Sequence, residues 1–296
     1  MTLCIAARST EDDSIIAVSD RMLSYDWTAG DDMALKRLPL NLRWEGMFAA
    51  SSVSSVMPIV RGVWNYSSNL PPSSRVMEIA CARSYHDERE RLIYCRILST
   101  YGIDLATWTK TGLERFGPSE FARINSKVEA VRVGVQFLVY GFDEKSTGHL
   151  FQVVEDDEGG AEVRSLEVEG FGAIGSGFWI ALASLLSRDR PTYSKAEMIY
   201  RLLEAKFSAE GKAAGVGEST VVAFIDNPLG AEWARPRFLH AADIATARKY
   251  FEKRRDAPLP SRAIEAIKKG IGSSVTSDQI RERVAQMTGN RHPRKD

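Results

Sequence analysis

The spacing of apolar and polar positions changes several times along this chain. Residues 3–8 form a short apolar run and 14–19 a second. The polar cluster Ser9-Thr10-Glu11-Asp12-Asp13 between them predicts a β-hairpin. Asp20-Arg21 ends the second run, and a polar stretch continues through Asp31-Asp32. Residues 34–42 and 46–50 predict two further strands. Helical spacing then takes over across 54–66 and breaks at Pro71-Pro72. A long helix is predicted over 73–100, a short one over 105–116, and another opening at Pro118. Alternation returns at Val133, Val135, Phe137 and Val139, within a strand over 131–142. Strands at 149–154 and 162–168 follow, separated by turns at 143–148 and 156–160.

The glycine-rich stretch 170–177 reads as a loop feeding a helix. Phe178, Ala181, Leu182 and Leu185 fall at i, i+3, i+4 and i+7, a single apolar stripe, and Pro191 closes it. Ser194 and Glu197 have capping-box spacing, and the helix they open turns Met198, Ile199, Leu202, Leu203 and Phe207 to a core. Residues 219–225 predict a last strong strand. Segregated runs of strands and helices point to an α+β fold with helices on the faces of antiparallel sheets. Beyond Asp226, Pro228, Pro236, Pro258 and Pro260 punctuate the chain. Two helices are expected there: 261–269, stopped by Gly270, and one opened by Thr276 and Gln279 and stopped at Gly289. The expected organisation is a domain over 1–226, with an insertion near 103–130, and a basic, partly helical extension over 227–296.

Composition narrows the classes of function. The chain has 296 residues, 44% apolar and 26% charged, which suits a globular protein. No run approaches the ~20 apolar residues of a membrane span, and no secretory signal is evident. Cys4, Cys81 and Cys95 are too scattered for a metal motif, and an odd, low count fits the reducing cytoplasm. His86-Asp87-Glu88 sits in a polar helical run and reads as a solvated face. No cofactor or metal is expected. Net charge is zero, but residues 241–296 carry 13 Lys/Arg against 7 Asp/Glu. Basic and aromatic residues interleave there only at Lys249-Tyr250-Phe251, so neither a nucleic-acid nor a membrane partner is expected.

The candidate chemistry begins at Thr2. Removing Met1 would leave a threonine with a free α-amine, placing a hydroxyl nucleophile and a base on one residue. An α-amine has an unperturbed pKa of ~7.7–8.0, near the optimum for a base at neutral pH. A lysine ammonium beside it lowers that value further, and a buried lysine requires a carboxylate. Asp20 at the end of the second strand and Lys36 in the third are the candidates.

Thr2, Ser19-Asp20, Lys36 and Phe48-Ala49-Ala50 resemble the opening of proteasome β-subunits and related bacterial N-terminal-nucleophile (Ntn) peptidases. The start Met1-Thr2-Leu3-Cys4-Ile5 looks most like the ancestral β-subunit (Anbu-like) group. Further on, Gly141-Phe142-Asp143, Ala173-Ile174-Gly175-Ser176-Gly177 and Gly217-Glu218-Ser219 are similar to family motifs in the same order. The resemblance spans roughly residues 2–226. It implies a four-layer αββα sandwich with a C-terminal helical extension. It also implies a threonine-type peptidase or amidohydrolase acting through an acyl-enzyme ester. In that reading Thr2 is the nucleophile, Lys36 tunes its amine and Asp20 holds Lys36. The Ala50 N–H donates to the oxyanion, and Ser176 and Ser219 support the amine. A homo-oligomeric ring or helical stack follows from the same resemblance, with an ATPase or regulatory partner left open. The chain departs from the pattern in three ways. Ala50 stands where the family has glycine. Val216 stands where it has an aspartate, with Glu218 as a candidate replacement. The Thr2–Asp20 spacing is two residues longer. A catalytically inactive scaffold or partner-binding subunit is the alternative, and an acylase acting on a non-peptide amide is a third reading.

Overall fold

The computed structural model describes residues 2–21, 35–187, 193–213, 215–228, 236–253, 261–272, 275–276 and 279. Its strands are β1 (Leu3–Arg8), β2 (Ile15–Asp20), β3 (Arg37–Pro39), β4 (Trp44–Ala50), β5 (Val135–Phe142), β6 (Gly148–Glu155), β7 (Ala161–Ser165), β8 (Phe171–Gly175), β9 (Thr220–Ile225), β10 (Arg237–Phe238) and β11 (Val275–Thr276). Its helices are α1 (Val56–Ser67), α2 (Ser74–Arg96), α3 (Leu105–Glu129), α4 (Phe178–Leu186), α5 (Lys195–Glu210), α6 (Ala241–Lys253) and α7 (Ser261–Gly272). The strands form two sheets, ordered β11-β10-β9-β2-β1-β8 and β3-β4-β5-β6-β7. Among the described residues the strand ladders are all antiparallel, so the fold is α+β.

The unbroken apolar character of the first strands has a direct cause. Alternate residues of one strand enter two different cores, so neither face can be polar. Leu3, Ile5 and Ala7 of β1 join Ile16 and Val18 of β2 in a core shared with α4, α5, α6 and α7. Cys4 and Ala6 point the other way, into a smaller core with Met47, Leu138 and Tyr140 of the second sheet. The opposite face of that second sheet, through Phe48, Phe137 and Val139, packs with α1, α2 and α3.

Several sequence expectations hold. β1 has the expected bounds, the Ser194–Glu197 capping box forms, and α3 breaks at Gly117 (φ 74°), just before Pro118. Others do not. Only Arg37–Pro39 of 34–42 is a described strand, and Lys36 lies just before it rather than within it. The expected loop 170–177 is largely strand β8, hydrogen-bonded to β1. Its glycines reflect close approach and not flexibility: a Cβ on Gly172 would lie 2.4 Å from Leu166 Cδ1. Helix α6 and strands β10 and β11, the last of which includes Thr276, were not expected. Pro191 and, apart from Thr276 and Gln279, the helix expected to end at Gly289 lie outside the described residues. No helix among the described residues is long and apolar enough to cross a membrane.

His149, near the start of β6, bridges the Glu167 and Asp143 carboxylates at 3.0 and 3.2 Å and stacks on Trp44. The hydrogen bond to Glu167 raises its pKa above the ordinary 6.5, with Asp143 adding to the effect and burial opposing it. A raised folded-state pKa stabilises the fold below the unfolded value, and that contribution is lost as pH rises through the folded one. His149→Asn is therefore expected to lower Tm more at about pH 6 than at about pH 8.5. Equal losses in thermal melts at the two pH values would contradict the ion-pair account.

Candidate active site

Thr2 enters β1 at the end where β1 lies between β2 and β8. The β1–β2 register, with Cys4 opposite Ser19, brings the start of β1 against Asp20 one step further on. The β1–β8 register places Leu3 opposite Gly175, so Gly175 and Ser176 run alongside Thr2. A third approach comes from the segment before β3, which delivers Lys36.

The start of β1, Lys36 and the connection before β9 meet at one carboxylate. The Thr2 hydroxyl donates to Asp20 Oδ1 at 2.7 Å, and the Leu3 N–H donates to the same oxygen at 3.1 Å. Lys36 Nζ donates to Asp20 Oδ1 at 2.5 Å and also to Thr2 Oγ1. Asp20 Oδ2 accepts from the backbone N–H of Gly217 at 3.0 Å. Asp20 and Lys36 are cut off from solvent, and Thr2 is 6% exposed. A buried lysine and a buried carboxylate are costly alone and tolerable as a hydrogen-bonded pair.

Thr2 also faces an open cleft of about 390 Å³. Ala49, Ala50 and Ser51 line one side, with Gly134 and Gln136 beyond them. Glu155, Gly175 and Ser176 complete the lining. The backbone of β4 sets the direction of the Ala50 amide. Phe48 N–H bonds Lys36 O toward β3, whereas Ser51 N–H bonds Gly134 O toward β5. Alternation along an antiparallel strand puts the Ala50 N–H on the same edge as that of Phe48, the Lys36 side.

The residues expected from sequence are thus placed as follows. Thr2, Asp20 and Lys36 are in mutual contact. Ala50 and Ser176 line the cleft with Thr2, and Ser176 donates to the Thr2 carbonyl at 3.4 Å. Ser219 is half-buried just before β9, next to Thr220, which pairs with Asp20 across the ladder. Val216 is buried in the apolar core beside Gly177. Glu218 is exposed and contributes its backbone carbonyl, which accepts from Lys206.

Four contributors were not legible beforehand. Gln136 Oε1 accepts from the Gly175 N–H at 3.1 Å and so ties the two sheets together at the cleft. Glu155 lines the cleft and accepts from the backbone of Val133 and Gly134. The Gly217 amide and Lys206 lie behind Asp20. Gln136 carried a faint signal, a polar residue in an otherwise apolar strand; the rest depend on long-range placement. Cys4 is beside the site but is no competing nucleophile, because burial pushes its thiol up to about 12.

No protein-family model matches the chain, and no curated protein matches it. Among solved structures, the chain is similar to eukaryotic HslV from Trypanosoma brucei. The two share 15% identity and a TM-score of 0.48, over 76% of this chain and 99% of that one.

Gly175 is where the site tolerates least change. Its φ is +92°, and a Cβ there would lie 2.2 Å from the Thr2 carbonyl oxygen. Gly175→Ala is expected to destabilise by roughly 1–3 kcal/mol or more. Gly211→Ala, with no atom within 4 Å of the added methyl, serves as the control. Chemical denaturation checks this: similar midpoints for the two variants would contradict the close packing of β8 on Thr2.

Proposed function

We propose that this chain is a threonine-type amidohydrolase of proteasome-like Ntn build, acting on peptide bonds. The observation that carries the reading is the Thr2 hydroxyl held by Asp20 and Lys36 at the edge of an open cleft. The three apolar cores are what a four-layer αββα sandwich requires: helices against one sheet, sheet against sheet, and helices against the other. The finer likeness to the ancestral β-subunit group rests on the opening residues alone.

In this mechanism Met1 is removed and the Thr2 nitrogen becomes a free amine. The substrate carbonyl enters the cleft between Thr2 and the end of β4. Thr2 Oγ forms a bond to the carbonyl carbon while its proton passes to the α-amine, directly or through a water. Lys36, already donating to Oγ1, stabilises negative charge on that oxygen. The Ala50 N–H donates to the new oxyanion, a contribution typically worth ~2.7–4 kcal/mol. The protonated amine gives its proton to the leaving amine, and the C–N bond breaks to leave a Thr2 ester. Water activated by the same amine then hydrolyses that ester. Asp20 keeps Lys36 and Thr2 in register. By the same reading the chain assembles with further copies of itself, which light scattering tests directly.

A peptide epoxyketone tests the chemistry, because its complete reaction needs a hydroxyl and a free amine on one residue. Mass spectrometry is expected to place a single adduct on Thr2, absent from a folded Thr2→Ala variant. That variant is the better control. Removing Lys36 strands the buried Asp20 charge and costs roughly 3–5 kcal/mol of stability. A chain that begins at Thr2 and takes up no epoxyketone would instead be an inactive scaffold.

A further inference from the structure

The carboxylate that organises Thr2 is itself held from behind. Asp20 Oδ2 accepts from the Gly217 N–H, in the connection between α5 and β9. That connection is fixed by a side chain from α5. Lys206 Nζ, fully buried, donates to the Gly217 carbonyl at 2.7 Å and the Glu218 carbonyl at 2.9 Å. Its charge is balanced one helical turn on by Glu210. Glu210 is shared with Arg248 of α6, whose Nη2 bonds Glu210 Oε1 at 2.8 Å and the Glu218 carbonyl at 3.0 Å. The Arg248 guanidinium lies over the Phe207 ring, 4.2 Å from its centroid.

We propose that Lys206, Glu210 and Arg248 form a clamp that positions Asp20 for the Thr2 reaction, making α6 part of the apparatus of this active site. The inference rests on the reaction proposed above. The chain of contacts has no gap: Arg248 and Lys206 hold the 217–218 carbonyls, the Gly217 N–H holds Asp20, and Asp20 holds Thr2 and Lys36. None of the three clamp residues is among those lining the cleft, so they are positioning residues.

A lysine in this place needs a reason. Burial draws the Lys206 ammonium down from 10.5 to about 8, against the raising effect of Glu210. An apolar side chain would avoid that cost, but it could not hold two convergent carbonyls. Arg248 adds a planar fork that meets the carboxylate and the Glu218 carbonyl together, which lysine reproduces only in part. Neither residue is conspicuous in sequence: Lys206 lies on a core helix, and Arg248 lies in the basic extension.

Arg248→Gln in the full-length protein tests the clamp. Two readouts apply: peptidase kinetics, and amide hydrogen exchange of the peptide containing Gly217. Expected are a fall in kcat of roughly ten- to a hundredfold, with KM changed less than about threefold. Exchange near Gly217 should accelerate at least about tenfold, with other segments unaffected. Arg248→Lys should recover part of both losses. Glu210→Gln, which keeps the shape and removes the charge, should reproduce the pattern if Arg248→Gln folds poorly. Unchanged kcat and exchange in Arg248→Gln would overturn the proposal. Uniformly faster exchange along the chain would also overturn it, in favour of a purely structural role. The exchange readout separates this inference from the function it builds on. An inactive parent protein whose Gly217 exchange still responds to Arg248→Gln refutes the reaction and keeps the clamp.

Discussion

Asp20 is a carboxylate without access to water, and its two oxygens take four hydrogen bonds from three separate stretches of chain. The Thr2 hydroxyl, the Leu3 amide and Lys36 share one oxygen; the Gly217 amide takes the other. A buried charge of this kind is tolerable only while its partners stay in place. The start of β1, the end of β2, the segment before β3 and the connection before β9 must therefore arrive together. The strand registers and the placement of Gly175 serve that convergence. So does β1, whose apolar run Leu3–Ala7 is buried on both faces, because it fixes Thr2 with little freedom of its own.

The same constraint explains why polarity within the core is local. Lys36 and Lys206 are both fully buried, and each meets a carboxylate and further hydrogen-bonding groups. They reach different oxygens of Asp20, Lys36 donating to Oδ1 directly and Lys206 acting on Oδ2 through the Gly217–Glu218 backbone. Replacing such pairs with apolar residues can be neutral for stability, so stability alone is a weak reason to keep them. Orientation of Thr2 is a stronger one.

How much of this could be read from sequence depends on the range of each interaction. Local signals were legible: the polar turn between β1 and β2, the Ser194–Glu197 capping box, and the break at Gly117-Pro118. The set Thr2, Asp20 and Lys36 was legible through resemblance, and the three side chains do meet. Strand β8 was misread because glycine normally marks a loop. Here Gly172 and Gly175 are small because Leu166 and the Thr2 carbonyl come so close. Helix α6 was missed because its apolar positions are few, and its partners on α5 lie more than thirty residues away. Gly217 was read as part of a motif, but the bond from its amide to Asp20 was not legible, because it depends on residues 197 positions apart. Val216 shows the reverse case: a departure from the family pattern that the fold absorbs as core packing.

The central claim is that Thr2 acts as nucleophile and base together, and this requires that nothing precede it in the working protein. N-terminal sequencing of the mature protein, purified from the cells that make it, tests this most directly. The account predicts threonine in the first cycle, followed by Leu3 and Cys4. A mature chain still carrying Met1, or any longer extension, would leave Thr2 without its amine and contradict the account.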